Sequence, residues 1–301
     1  MGSVVPDWDD LRVFLAVARS DSLSAAARVL KIDPATVGRR IARLEDALSA
    51  RLFAKSPQGY AVTEAGQRLL PHAEAAERAM GAAEEDLRGE AGALSGQIRI
   101  GAPDGCANYL LPQVVAAICD ENPGLEVQIV ALPRVFNLSK READMAVGVS
   151  PPSAGRLTVQ KLTDYHLHLA ASRAYLDRTG PILRRDDLRG RRIIGYIPDM
   201  IFDKELDYLS EIGAEAVGLG SNSVSVQLNW LRHGAGVGMV HGFAMPAAPE
   251  LVKVLGDEVR LTRSFWLIRH ADDRRVERLV RFADLLTQGV RREMARLESI
   301  A

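Results

Sequence analysis

The stretch from Ser24 to Ser49 constrains this chain more than any other. It holds two helical patterns with only Lys31, Ile32 and Asp33 between them, which leaves room for nothing but a tight turn. Ser24 to Leu30 reads as a short helix opening on a serine cap, and Ala25, Ala26 and Ala27 let a neighbour approach closely. Pro34 to Ser49 reads as the second helix. Asp33 caps its first turn, and Pro34 supplies a fixed φ where no N–H is needed. Val37, Ile41, Leu44 and Leu48 share one face, while Ala35, Thr36, Arg39 and Arg43 project from the other. The result is a buried stripe backed by a cationic edge.

This is the helix-turn-helix spacing, in which the second helix enters a DNA major groove. An ordinary helix pair with a solvated arginine face has the same pattern, so the neighbouring segments decide. Trp8, Leu11, Phe14, Leu15 and Ala18 predict a first helix from Trp8 to Arg19 that packs under the pair. Arg51 to Thr63 shows two short apolar runs around a turn at Ser56 to Gly59, a hairpin with Lys55 near its tip. Thr63 then caps a long helix reaching about Gly89, apolar along Leu69, Leu70, Ala73, Ala76, Met80, Ala83 and Leu87 and bent slightly at Pro71. Such a one-sided helix either pairs with a partner or packs on the next domain.

The chain has 301 residues, 47% hydrophobic and 26% charged, which suits a soluble protein of two or three compact units. Its net charge of −1 does not announce a nucleic-acid partner, because Glu74, Glu77, Glu84, Glu85, Asp86 and Glu90 offset the basic residues. Cys106 and Cys119 are expected on one helix, too far apart there for a disulfide, as suits a reducing cytoplasm. No apolar run has the length of a membrane span, and Asp7, Asp9 and Asp10 stand where a signal region would be basic. A cytoplasmic location is expected.

Glycines at 89, 92 and 96 mark a linker, after which strands alternate with helices. Strands are expected at 97–101, 126–131, 144–149, 157–162, 165–171, 192–196, 237–240 and 264–269, and helices at 106–121, 223–233 and 273–297. That order argues for a parallel α/β sheet, whose ligands sit at the carboxyl ends of strands near helix N-termini. Two loops meet the description: Ala102, Pro103, Asp104 and Gly105, and the segment reaching Asn222 and Ser223. Arg134 is a candidate cation to balance Asp104 before an acidic ligand. Capping and turn formation account for these polar residues equally well.

His166 and His168 share a strand face, but no third ligand has a metal-site spacing with them, and packing is the better reading. The glycine-rich run after His233 lies between helix and strand, the reverse of a dinucleotide fingerprint. Nucleophile elbows, phosphate loops and zinc-protease signatures are not found, so neither enzyme activity, metal nor cofactor is expected. Cys106 near a helix start could sense oxidants, but Cys119 is badly placed to resolve it, and a packed thiol is the better reading.

Taken together, the stretch from Ser22 to Phe53, the hairpin and Val62 to Leu70 resembles the LysR-type transcriptional regulators. The resemblance rests on Ala26, Ala27, Leu30, Ile41, Leu44, Glu45, Leu48, Leu52, Phe53, Thr63, Ala65 and Gly66. It extends through Gly101 to Asp104, Leu111 and Pro112, Asn122 to Gly124, and Arg141 to Asp144. Departures are Asp33, Pro34 and Ala35 where the family usually opens this helix with Ser, Gln and Pro, and Gly38 at a frequent serine position. The resemblance implies an α/β multidomain protein with a winged helix-turn-helix at 1–62, a linker and dimerisation helix at 63–92, and a two-lobed, periplasmic-binding-protein-like effector domain at 93–301. Lobe I would comprise about 93–162 and 270–301, and lobe II about 163–269.

The implied function is effector-controlled transcriptional regulation by a homodimer or homotetramer on double-stranded DNA. Phosphate contacts would come from Arg40, Arg51 and Lys55, and base readout from Ala35, Thr36, Arg39 and Arg43. A small-molecule effector would meet Ala102 to Gly105, Arg134, Asn222 and Ser223. The alternative is a solute-binding or enzymatic α/β protein whose N-terminal helices only mediate assembly.

Overall fold

The computed structural model describes residues 6–56, 59–88, 94–131, 143–152, 155–214, 216–256 and 258–301. The chain forms two compact units, Met1–Gly89 and Glu90–Ala301.

In the first unit, α1 (Trp8–Ser20), α2 (Leu23–Leu30) and α3 (Pro34–Leu48) precede a hairpin of β1 (Phe53–Ser56) and β2 (Gly59–Val62), and α4 (Glu64–Arg88) follows. Each short helix starts on a side-chain cap. Asp7 accepts from the Asp9 amide at 3.0 Å and Asp33 from the Ala35 amide at 2.7 Å. The cap of α2 is Ser22 rather than Ser24, because Ser22 keeps extended backbone and its Oγ accepts from the Ala25 amide. Asp21, Lys31 and Ser49 close the three helices in left-handed conformation, which keeps the joints tight. Phe14, Ala26, Val37 and Leu44 are fully buried, and Phe53 of the hairpin joins them with its ring 5.3 Å from that of Phe14.

Thr63 fastens α4 to this core by two bonds. Its Oγ1 accepts from the Gly66 amide at 3.1 Å and donates to the Arg51 carbonyl at 2.6 Å. Gly66 is required there, since a Cβ would lie 2.4 Å from the Leu52 carbonyl oxygen. Leu69, Leu70 and Ala73 pack onto the module, whereas Met80 further along is 54% exposed.

The second unit is a nine-stranded curled sheet with helices packed on it. Its elements are β3 (Gly96–Ala102), α5 (Asp104–Tyr109), α6 (Leu111–Glu121), β4 (Leu125–Ala131), β5 (Met145–Gly148), β6 (Leu157–Ser172), α7 (Arg173–Thr179), β7 (Ile193–Gly195), α8 (Leu209–Ile212), β8 (Leu219–Gly220), α9 (Val224–Arg232), β9 (Val237–His241), β10 (Leu251–Lys253), β11 (Arg260–His270) and α10 (Glu277–Ser299). The strand order is β4-β3-β5-β11-β6-β9-β7-β8, with β10 on β6. The long antiparallel pair β6 and β11 therefore joins two halves, one built on β3 to β5 and the other on β7 to β9.

Two expectations fail here for definable reasons. The strands expected at 157–162 and 165–171 are one strand, because β11 pairs from Leu157 to His168 across the join and a bulge absorbs Leu162 where Phe265 faces Thr163 and Trp266 faces Lys161. The bulge carbonyls are satisfied from α10, where Arg291 donates to Leu162 O at 2.8 Å and Lys161 O at 3.3 Å. The single helix expected at 106–121 is two. Pro112 has no N–H to return to Asn108, and Leu110 breaks the helical backbone, so Cys106 and Cys119 lie on α5 and α6.

Candidate functional site: a helix-turn-helix edge and an interlobe carboxylate

On α3 the sequence pattern holds in detail: Val37, Ile41 and Leu44 are buried, while Ala35 and Arg39 are exposed and Thr36 is half-buried. The arginines differ in what they touch. Arg39 donates to Thr36 Oγ1 at 3.0 Å and, among the described residues, forms no ion pair. Arg40 pairs with Asp9 at 3.0 Å. Arg43 holds the buried Asp10 through Nε at 2.5 Å and Nη2 at 2.6 Å and also reaches Asp7 at 3.2 Å. These contacts raise the guanidinium of Arg43 above its ordinary pKa, the Asp10 hydrogen bond most of all, and the Arg40 hydrogen bond lowers the carboxyl of Asp9. The acidic first turn of α1 thus neutralises much of the α3 edge.

Arg51 lies just beyond α3, 78% exposed, with Nη1 2.6 Å from Glu45. Glu45 is buried and also accepts from the amides of Leu52 and Phe53, which ties α3 to the hairpin. Lys55 is paired in the hairpin register with Tyr60, but its side chain lies outside the described residues.

In the second unit both expected loops converge, on one carboxylate. Asp104 opens α5, and its Oδ2 accepts from the Ser225 amide at 3.0 Å, Ser225 Oγ at 3.2 Å and Ser223 Oγ at 3.2 Å, while Asn108 Nδ2 reaches Oδ1 at 3.3 Å. The N-terminus of α9 therefore already carries an anion, supplied by the other half of the sheet. Ser223 is simultaneously the α9 cap, accepting from the Val226 amide at 3.3 Å. Ser150, beyond β5, makes a second bridge between the halves by donating to Asp203.

Beneath these bridges Tyr165 stacks on Phe265 at 4.2 Å and on His241 at 5.4 Å. Burial drives the His241 pKa down to about 4, against the opposing charge of Asp104. Burial also raises the Cys106 thiol far above its ordinary value, which removes the nucleophilic character an oxidant sensor needs.

Residues 91–291 match the family model of the LysR substrate binding domain, and residues 8–67 match that of the bacterial regulatory helix-turn-helix protein, lysR family. The chain belongs to the LysR family.

Curated LysR-type relatives include the HTH-type transcriptional regulator PtxR of Pseudomonas aeruginosa, 28% identical over 186 residues covering 62% of this chain. Another is the regulator DgdR of Burkholderia cepacia, 35% identical over 150 residues, or 49% of this chain. The matched stretches span 60% of PtxR and 50% of DgdR. Among solved structures, a full-length OxyR variant from Pseudomonas aeruginosa aligns with a TM-score of 0.71 at 16% identity, covering 95% of this chain and 94% of that one. CrgA of Neisseria meningitidis, a LysR-type transcriptional regulator, aligns with a TM-score of 0.58 at 22% identity, covering 94% and 98%. The shared fold is the LysR-type fold. The relatives are named as transcriptional regulators, which does not favour the solute-binding or enzymatic alternative.

Against this LysR-type frame, the candidate effector residues sort unevenly. Ala102 and Gly105 are buried, and a Cβ on Gly105 would already touch His241 and Val224 at 3.4 Å, so they set spacing. Pro103, Asp104, Asn222 and Ser223 are half-buried. Arg134 lies outside the described residues. Sequence reasoning missed Ser225, whose hydroxyl and amide both meet Asp104. A serine two positions past a capping serine, at a helix start opposite a loop carboxylate, was the available signal. It also missed the acids of α1 as partners of α3. His166 is engaged by Glu298 of α10, Nδ1 to Oε2 at 2.6 Å, and among the described residues no group of three or more His, Cys, Asp or Glu could hold a metal. Nor, among them, is any helix long and apolar enough to cross a membrane.

Proposed function

We propose that this LysR-family chain regulates transcription by binding duplex DNA through α3 and responding to a small molecule bound between the two halves of its C-terminal unit. Arg39 carries the reading. It is the α3 arginine that stands exposed without a carboxylate partner among the described residues, beside Ala35 and Thr36, where a guanidinium can address a guanine edge. Arg40, Arg51 and Lys55 supply phosphate contacts, and Arg43 contributes charge from its place against Asp10. The chain acts as a homodimer or homotetramer, with Met80 on the exposed part of α4 as one apolar contact. It works by binding rather than turnover.

The effector site comprises the Ala102–Gly105 loop, Arg134, Asn222 and Ser223. A mobility-shift titration against the intergenic DNA upstream of its own gene, beside a scrambled duplex, tests the reading at fixed salt. Preferential binding that Arg39→Ala reduces by about 1–3 kcal/mol is expected. Equal, weak binding of both duplexes would sink it.

A further inference from the structure

The half of the C-terminal unit built on β7 and β9 contains an apolar chamber beside an acidic bowl. The chamber holds about 200 Å³ between Ile193, Ile194, Ile212, Val217 and Met239, enough for one six-membered ring. For comparison, an apolar cavity of roughly 150 Å³ admits benzene. Tyr208, in its wall, is a buried residue whose hydroxyl has no hydrogen-bond partner among the described residues. The bowl, about 580 Å³, shares Pro198, Ile201 and Asp207 with the chamber, so the two adjoin along that wall.

The charges around the bowl select its ligand. Asp203, Glu205, Asp207 and Glu211 line it against Lys204 and Arg263. Arg263 is already committed, with Glu205 at 2.9 Å and Glu211 at 3.2 Å. An acid entering here would meet an excess of carboxylates, whereas a cation meets complementary charge and the ring of Phe202 on the same wall. An ammonium left in the open bowl keeps part of its water, and its apolar body fills the chamber.

We propose that this pocket binds a small primary amine with a single ring or short apolar body. None of its lining residues belongs to Ala102–Gly105 or Asn222–Ser223, and the chamber lies within one half, while Asp203 on the bowl also reaches Ser150 of the other half. Calorimetric titration of the full-length chain with 2-phenylethylamine tests it, beside 2-phenylethanol and phenylacetate as the neutral and acidic probes of the same body. The amine is expected to bind, the alcohol about tenfold more weakly or less, and the acid not measurably. Val217→Phe, which fills the chamber, should weaken the amine about tenfold or more, and Asp104→Ala should leave it unchanged. If Val217→Phe perturbs folding, Glu211→Gln decides. It keeps the chamber and releases positive charge on Arg263, so amine affinity must fall while alcohol affinity holds. Absence of amine binding, equal binding of the three probes, or loss on Asp104→Ala with retention in Val217→Phe overturns the proposal.

Discussion

Arg43 grips Asp10 with two nitrogens, at 2.5 and 2.6 Å, although Asp10 is almost wholly buried and Arg43 is more than half exposed. The pair ties α3, with its exposed arginine edge, to α1 beneath it. A buried carboxylate stripped of its partner is costly, so removing the arginine acts on the module's stability as well as on DNA affinity. Arg43→Ala is expected to lower the melting temperature of the isolated chain by several degrees and to weaken operator and scrambled duplex alike. Asp10→Asn in the Arg43→Ala background should recover part of the lost stability. An unchanged melting temperature in Arg43→Ala, with base discrimination lost, would make Arg43 a reader instead.

Gly38 sits inside α3, where glycine costs backbone entropy, and the nearest atom to a Cβ added there is Leu23 Cδ1 at 3.8 Å, an ordinary contact. Gly38→Ala should therefore stabilise the module by about 0.5–1 kcal/mol in urea denaturation. A destabilised variant would show that α3 is closed in more tightly than this contact indicates.

Asp104 supplies α9 with its anion, so removing the carboxylate should expose the Ser225 amide and the helix terminus to small anions. Thermal unfolding in rising sulfate, at ionic strength held constant with chloride, is expected to leave the wild type unmoved and to stabilise Asp104→Ala. Identical responses in the two proteins would show that this carboxylate does not occupy an anion slot.

Acid should unfold the C-terminal unit partly through His241. Its folded pKa lies near 4, against an unfolded value of 6.5, so between those pH values the unfolded chain binds more protons. Stability contributed by the neutral imidazole is complete above about pH 6.5 and is lost as pH falls toward 4, at up to about 1.4 kcal/mol per unit. His168, half-buried and shifted the same way, adds a smaller share because solvent screens it. Urea denaturation at pH 7.5 and pH 5 should show this slope in the wild type and a shallower one in His241→Gln. Equal slopes would place the proton uptake elsewhere.

The parts legible in the sequence are those whose cause is local. Asp33, Pro34 and the stripe of Val37, Ile41 and Leu44 determine α3 within fifteen residues, and Thr63 likewise announces α4. What stayed hidden depends on partners distant in the chain. The acids of α1 appear as a run without an assigned role until Arg40 and Arg43 are brought against them, and Asp104 reads as an obstacle to acidic ligands until α9 arrives 121 residues later. Continuity of β6 is hidden for the same reason, since it is imposed by β11 from about a hundred residues away. The α5–α6 break was in reach, because Pro112 stood in the middle of the expected helix.

The bulge at Leu162 also limits how this protein can change in length. Before it the inward residues of β6 carry even numbers, ending at Leu162, and after it they carry odd ones, Tyr165, Leu167 and Leu169. Because Leu162 is the extra residue, its loss would close the ladder with both halves still in phase, whereas loss of a single residue elsewhere between Thr163 and Leu169 would turn the apolar side chains on one side of the deletion toward water. Descendants of this chain can lengthen or trim their surface loops, but within β6 the bulge is the joint at which a single residue can be lost without turning either half of the strand over.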